Sequence, residues 1–283
     1  MTDRATVLIY ADELMRSGVR PGILDARWRL DQPDGRSAYR AGHIPGAVYV
    51  SLEDDLSDHA REGRGRHPLP GGAAVEVAAR RWGIRQGQPV VVYDDWNRAG
   101  SARAWWVLTA AGLADVRILD GGLAAWIAAG GEMETGEVIP EPGDVSVRHG
   151  DLYSGARPTI TAEQVSGGEV TTLLDARAPE RFRGETEPVD PVAGHIPGAR
   201  NLPRGSLLDE DGKFIDGERL RVRLAEAGLA HGSRPGVYCG SGVTASVVLA
   251  ALSAAGVEGA LFPGSWSQWS SDGRPVETGA VGP

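Results

Sequence analysis

Ala41-Gly42-His43-Ile44-Pro45-Gly46-Ala47 stands twice in the chain, the second time as Ala193-Gly194-His195-Ile196-Pro197-Gly198-Ala199, identical and 152 positions later. Its surroundings repeat as well. Leu24-Asp25-Ala26-Arg27 returns as Leu174-Asp175-Ala176-Arg177, and Ile9-Tyr10-Ala11-Asp12-Glu13-Leu14 returns as Ile160-Thr161-Ala162-Glu163-Gln164-Val165. A period this long does not suit a solenoid and suits a duplicated domain. The 283-residue length agrees, since single domains are usually about 100–150 residues.

The later parts of each copy correspond too. Val91-Val92-Tyr93-Asp94 lies where Gly236-Val237-Tyr238-Cys239 lies, and Asp120-Gly121-Gly122-Leu123-Ala124-Ala125-Trp126 parallels Pro263-Gly264-Ser265-Trp266-Ser267-Gln268-Trp269. Each copy alternates short apolar runs with helix-compatible segments. That pattern predicts an α/β fold, an open and mainly parallel sheet with helices on both faces, built twice. The domains are expected at 1–132 and 158–283, joined by a linker at 133–157. The stretch from Gly130 to Pro158 is rich in Gly, Pro and Glu. Within it, the alternation of Asp144-Val145-Ser146-Val147 predicts a surface strand.

Composition narrows the function classes. The formal charge of −9 comes without a basic stripe, which argues against nucleic acid. No apolar run reaches the length of a membrane span, and Met1-Thr2-Asp3-Arg4-Ala5-Thr6 leads into Val7-Leu8-Ile9 without a signal-type core. The expectation is a soluble cytoplasmic protein with no membrane partner. A single cysteine excludes an intrachain disulfide, and no cluster has metal-ligand spacing. No metal or cofactor is expected.

That cysteine is the candidate nucleophile. Cys239 ends an apolar strand and opens Gly240-Ser241-Gly242-Val243-Thr244-Ala245, after which a helix-compatible segment runs to Ala255. Glycines let such a loop curl with its N–H groups turned inward. A thiol where those groups meet a helix N-terminus is favoured as thiolate. The C-terminal end of a strand in an open α/β sheet is also where ligands bind. In the first copy Asp94 takes the cysteine's place and is followed by Asp95-Trp96-Asn97-Arg98, without the glycines. That copy is expected to be catalytically inactive while still shaping the cleft from the other side.

Two Gly-His-Ile-Pro-Gly-Ala motifs, the Gly and Trp motifs near each domain's end and the Cys-Gly-Ser-Gly-Val-Thr-Ala loop in the second copy resemble the tandem rhodanese-domain sulfurtransferases across essentially the whole chain. The resemblance implies two rhodanese-like domains. It implies a Cys239 persulfide that takes sulfane sulfur from a small anionic donor and passes it to an acceptor: cyanide, or a thiol such as a reduced thioredoxin-like protein. Gly240, Gly242, Val243, Thr244 and Ala245 would form the cradle for the persulfide. Gly-Ser-Gly after the cysteine is similar to the mercaptopyruvate-preferring members, whereas thiosulfate-preferring members carry basic residues there. A loop without cations points the same way, so 3-mercaptopyruvate is favoured as donor; thiosulfate:cyanide transfer is the alternative.

By the same resemblance Arg181 binds the donor's anionic group, with Arg183 a weaker candidate. Ser241, His43 and Asp34 match a Ser–His–Asp relay that handles the donor's protons; the twin histidine, His195, has the same turn with no relay near it. A second donor-binding arginine of the mercaptopyruvate group is missing, because Val189-Asp190-Pro191-Val192-Ala193 carries no cation. Other classes fare worse. A cradle-type phosphatase needs arginine six residues after the cysteine, where this chain has Ala245. A dithiol oxidoreductase needs a second cysteine. A non-catalytic persulfide-binding or regulatory module is expected to lose the cysteine or the glycines, and this chain keeps both.

Overall fold

The computed structural model describes residues 4–229 and 232–279. The first half runs β1 (Leu8–Ile9), α1 (Ala11–Arg16), β2 (Gly22–Asp25), α2 (Arg36–Ala41), β3 (Val48–Tyr49), α3 (Leu52–Asp55), α4 (Gly72–Arg81), β4 (Val90–Tyr93), α5 (Ala99–Ala110), β5 (Val116–Leu119) and α6 (Gly122–Ala128). The second runs α7 (Ala162–Ser166), β6 (Leu173–Asp175), α8 (Pro179–Phe182), β7 (Arg200–Asn201), α9 (Gly217–Glu226), β8 (Gly236–Tyr238), α10 (Ala245–Ala254), β9 (Ala260–Leu261) and α11 (Ser265–Ser271).

Each half builds its own sheet, ordered β1-β5-β4-β2-β3 and β7-β6-β8-β9. Every pairing is parallel. Among the central strands β4, β6 and β8 are buried at every position, because helices cover both faces. The counterpart of β1 in the second half shrinks to one parallel bridge between Thr159 and Leu261, closed by the Ile160 N–H to the Leu261 carbonyl at 2.8 Å.

Local sequence explains the helices. Thr161 and Gln164 close a capping box at the start of α7, and Asp216 caps α9 through the N–H groups of Glu218 and Arg219. α5 and α10, the helices that follow β4 and β8, have almost no exposed face. A helix that is apolar all round must be covered all round, and these two cover each other. One hydrophobic cluster therefore runs through both halves, from Trp105 and Trp106 of α5 to Val247 and Leu252 of α10. The loop between β8 and α10 sits at this seam.

The repeated motifs do the same structural work twice. Arg27 grips Asp25 through Nε (2.9 Å) and Nη2 (2.6 Å) and donates to the Gly42 carbonyl. Arg177 grips Asp175 and donates to the Gly194 carbonyl in the same way. The next residue is the histidine in both cases. His43 Nδ1 bonds the Tyr39 carbonyl at 2.9 Å with its ring stacked on Tyr39. His195 Nδ1 bonds the Phe182 carbonyl at 2.7 Å with its ring stacked on Phe182.

Between the halves, Asp144 to Val147 does not form the expected strand. The N–H groups of Asp144 and Val145 go to the Ile84 carbonyl, and that of Val147 goes to the Glu76 carboxylate. The segment is thus tied to the end of α4 and has no N–H left for a sheet. Gly143 permits the approach, since a Cβ there would lie 1.9 Å from the Ile84 oxygen. Among the described residues, no helix is long and apolar enough to cross a membrane.

Candidate active site

Cys239 follows β8 directly and is 1% exposed. Its N–H donates to Ser265 Oγ at 3.2 Å, and its carbonyl accepts from the Trp266 N–H at 3.0 Å. The backbone on either side is therefore fixed. Gly242 has φ +81°, and a Cβ there would stand 2.6 Å from the Pro263 oxygen, so this turn admits only glycine. From Gly240 to Thr244 no main-chain N–H meets an acceptor among the described residues.

The first half shows what such a loop can hold. Asp94, in the place of Cys239, points its carboxylate into its own loop. Oδ1 accepts from the N–H groups of Trp96 (3.1 Å) and Arg98 (3.3 Å). Oδ2 accepts from the N–H and Oγ of Ser101 (3.0 and 2.7 Å). Arg98 Nη2 adds an ion pair at 2.9 Å. Counting the same offsets from Cys239 gives Ser241, Val243 and Ser246. A loop of this construction concentrates N–H donors on one anion. In the first half the chain's own carboxylate satisfies them.

Gly240, Ser241 and Thr244 line a cavity of about 570 Å³ between the halves. Trp28, Leu30 and Trp96 form its wall on the first half, and Pro179, Arg181 and Arg204 on the second. Cys239 is not part of that wall; it lies directly behind it, flanked by Gly240 and Ser241. An outer sulfur bonded to Cys239 reaches about 2 Å further. Gly242, Val243 and Ala245 are buried beneath.

The hydrogen-bond chain that reaches Ser241 differs from the sequence-based expectation. Ser241 Oγ meets His67 Nδ1 at 2.7 Å, and His67 Nε2 meets Glu53 Oε1 at 3.2 Å. Glu53 also accepts from Trp28 Nε1 at 2.7 Å and meets His59 Nε2 at 2.9 Å. His43 is committed to the Tyr39 carbonyl, and Asp34 bonds the Arg36 N–H and faces the Tyr49 hydroxyl, outside the cavity wall. Neither residue joins Ser241. His43 serves the turn, as its twin does.

Burial lowers the pKa of His67 against the pull of Glu53. Its ring is therefore neutral near pH 7. The network then assigns the proton to Nε2, donated to Glu53, leaving Nδ1 to accept from the Ser241 hydroxyl. The His67 hydrogen bond is the largest cause holding the Glu53 carboxyl down to about 2. The loop carrying His67 is pinned by Arg103, fully buried in α5, whose guanidinium donates to the carbonyls of Leu56 and His67.

Arg181 lines the cavity as expected. It binds Glu187 at 2.5 Å and reaches Asp190 at 3.4 Å. Arg66, from the first half, binds the same Asp190 at 2.5 Å. A Cβ on Gly240 would lie 3.3 Å from the Arg66 guanidinium and 3.7 Å from that of Arg181, so the glycine also admits these two cations. Arg183 pairs with Glu185 at 2.6 Å, away from the cavity. The loop lacks a cation of its own, but its surroundings do not. The charge argument against thiosulfate therefore loses its force.

Sequence reasoning did not single out Glu53, Arg66, His67 or Arg204. A signal was present: His67 lies in Gly65-Arg66-His67-Pro68-Leu69-Pro70, which has no copy in the second half, whereas His43 has a twin.

The rhodanese-like domain family matches residues 9–129 and again 158–272. "Putative thiosulfate sulfurtransferase SseB" of Mycobacterium tuberculosis is 62% identical over 99% of this chain and 100% of its own length. A 3-mercaptopyruvate sulfurtransferase of Escherichia coli is 35% identical, covering 90% of this chain and 91% of its own. The crystal structure of SseA from Escherichia coli, described as a 3-mercaptopyruvate sulfurtransferase with the rhodanese fold, superposes with a TM-score of 0.80 at 33% identity. It covers 92% of this chain and 98% of that one.

Proposed function

The chain belongs to the tandem rhodanese-domain sulfurtransferases, and on that premise we propose that it transfers sulfane sulfur through a Cys239 persulfide, with 3-mercaptopyruvate as the preferred donor. The observation that carries the donor assignment is the Ser241–His67–Glu53 chain beside the cysteine. Thiosulfate leaves as sulfite, which needs no proton. Mercaptopyruvate leaves as a carbon anion, which does.

The step balances without a further reactant. Cys239 thiolate attacks the donor sulfur, the new S–S bond forms and the C–S bond breaks with its electron pair going to carbon, as pyruvate enolate. The proton that was on the donor thiol moves by way of Ser241 and His67 to that carbon, giving pyruvate and the Cys239 persulfide anion. Neutral His67 accepts through Nδ1 and is steadied as a cation by Glu53, the role of a general acid–base. An acceptor thiolate or cyanide then attacks the outer sulfur and releases Cys239 thiolate. The free N–H groups of the 240–244 loop are suited to hold the negative sulfur in both half-reactions.

The division into domains 1–132 and 158–283 with a linker at 133–157 is supported by the two separate sheets. An inactive first domain is supported by the Asp94 carboxylate in the place of the sulfur. The acceptor is a small thiol, cyanide or the exposed thiol of a reduced thioredoxin-like protein. The deciding experiment is to incubate the protein with mercaptopyruvate or thiosulfate, without acceptor, and weigh it. One added sulfur atom, absent in Cys239→Ser, is the expected result. Equal uptake by that variant would refute the scheme, and loading no faster with mercaptopyruvate than with thiosulfate would refute the donor preference.

A further inference from the structure

The wall of the Cys239 cavity carries four guanidiniums: Arg66, Arg177, Arg181 and Arg204. Three are neutralised by the protein. Arg177 is locked to Asp175 at 2.7 Å and Glu187 at 3.2 Å. Arg181 shares Glu187 and Asp190, and Arg66 takes Asp190 from the opposite side. Those three carboxylates are almost wholly buried, with side chains 0–3% exposed, so their charges belong to the structure and are not free to leave.

Arg204 is different. It opens the short 3-10 turn Arg204–Leu207 after β7, and its backbone N–H is fixed to the Ala176 carbonyl at 3.3 Å. Among the described residues its guanidinium has no carboxylate in ion-pair range, no hydrogen-bond acceptor and no aromatic face. It is nonetheless partly buried, and that burial lowers its pKa, while the negative charges of an ionised Cys239 and of Asp94 pull the other way at longer range. Keeping a cation half out of water without a partner costs free energy that a structural role would not require. The wall also carries one carboxylate of its own, Glu180, which is exposed and reaches none of the four guanidiniums; among the described residues Arg204 is the guanidinium of this wall left without a carboxylate partner.

We infer that Arg204 binds the carboxylate of the sulfur donor, supplying from the turn after β7 the second cation that the segment 189–193 lacks. The inference rests on sulfur transfer at Cys239. A small 2-oxo acid fits the arrangement. Its carboxylate takes the planar fork of Arg204, the remaining N–H groups of Arg181 and Arg66 face Gly240, and its sulfur points toward the loop. In this division Arg181 orients the donor while Arg204 provides the unpaired guanidinium.

The test uses the full-length protein and reads the two half-reactions apart. In the first, loading of Cys239 from limiting mercaptopyruvate is followed by mass without acceptor. In the second, discharge of the preloaded persulfide by cyanide is timed. For Arg204→Gln, the loading kcat/KM is expected to fall at least about tenfold with discharge unchanged, and Arg204→Lys should recover part of the loss. Loading within twofold of wild type overturns the inference, and so does an equal fall in both half-reactions.

A third measurement needs no turnover. Pyruvate should protect Cys239 of the wild type from iodoacetamide, and protection should require at least about tenfold more pyruvate in Arg204→Gln. Should that variant not fold, the comparison is made with Arg204→Lys, and equal protection in the two proteins overturns the inference. If the wild type takes up no sulfur from either donor yet loses pyruvate protection on substitution, the transfer reading fails and the carboxylate site stands.

Discussion

Replacing Glu53 by Gln tests the relay through stability before any turnover is measured. In the folded protein the Glu53 carboxyl is held from 4.5 down to about 2, first by the hydrogen bond from His67 and then, against burial, by the charge His67 carries once protonated at low pH and by the Trp28 N–H. A folded-state pKa below the unfolded one means stability that is present in full above about 4.5 and is lost as pH falls toward about 2. At about 1.4 kcal/mol for each tenfold in proton affinity the ceiling is about 3 kcal/mol. The Glu53 side chain is 29% exposed, and solvent screening brings the expected figure to about 1–2 kcal/mol. Glu53→Gln keeps an oxygen for the His67 Nε2–H and removes the charge. Urea unfolding of both proteins at pH 7 and pH 3 isolates the effect, since the other titratable groups are common to both. Wild type should exceed the variant by about 1–2 kcal/mol at pH 7, with more than half of that margin gone at pH 3. A margin that stays constant between the two pH values would falsify the account of Glu53 as the charged end of the chain to Ser241.

Three further substitutions separate chemistry from scaffold. His67→Gln should slow loading from mercaptopyruvate about a hundredfold, the usual weight of a general acid–base, and loading from thiosulfate far less; equal losses with the two donors would remove His67 from proton transfer. His43→Asn should lower the urea midpoint, because the bond to the Tyr39 carbonyl and the ring stack are lost, yet leave the loading rate of the folded protein within twofold of wild type; a large loss of loading would restore His43 to the site. Asp94→Ala leaves Arg98 buried without its partner and should cost about 3 kcal/mol or more in urea unfolding, while a cost below about 1 kcal/mol would contradict the anchoring role of that carboxylate.

The duplication was legible because repeats are compared position against position. Identical Ala-Gly-His-Ile-Pro-Gly-Ala motifs, paired Asp-Ala-Arg tripeptides and equivalent strand ends needed no coordinates. Cys239 was legible for a related reason: it is a difference at a position where all else matches. The relay was not. Ser241, His67 and Glu53 come from the β8–α10 loop, the loop before α4 and α3 itself, and nothing local joins positions 174 residues apart. The expected partner, His43, was chosen for its motif, and the motif's chemistry is spent on the backbone. Asp190 misled in the opposite direction. A segment without a cation read as a missing contact, whereas its carboxylate draws Arg66 across from the other half.

These outcomes follow from what a duplicated fold must keep and what it is free to change. Residues present in both copies answer to needs both copies share, and here those are backbone needs: the Asp–Arg pairs hold the carbonyl before each histidine, and each histidine holds the helix or turn before it. Residues present in one copy face the seam, where the halves are not equivalent. His67 and Arg66 enter it from the first half; Cys239, Ser241 and Arg204 enter it from the second. The two loops at the seam solve one electrostatic problem in two ways. Each gathers main-chain N–H groups at the end of a strand and the start of a buried helix, an arrangement that favours an anion. The first meets that demand with Asp94, a carboxylate that belongs to the chain and cannot depart. The second presents a cysteine, whose anion can carry one more sulfur atom and give it up, so on the proposed function the cradle that holds a fixed carboxylate in the first domain serves turnover in the second.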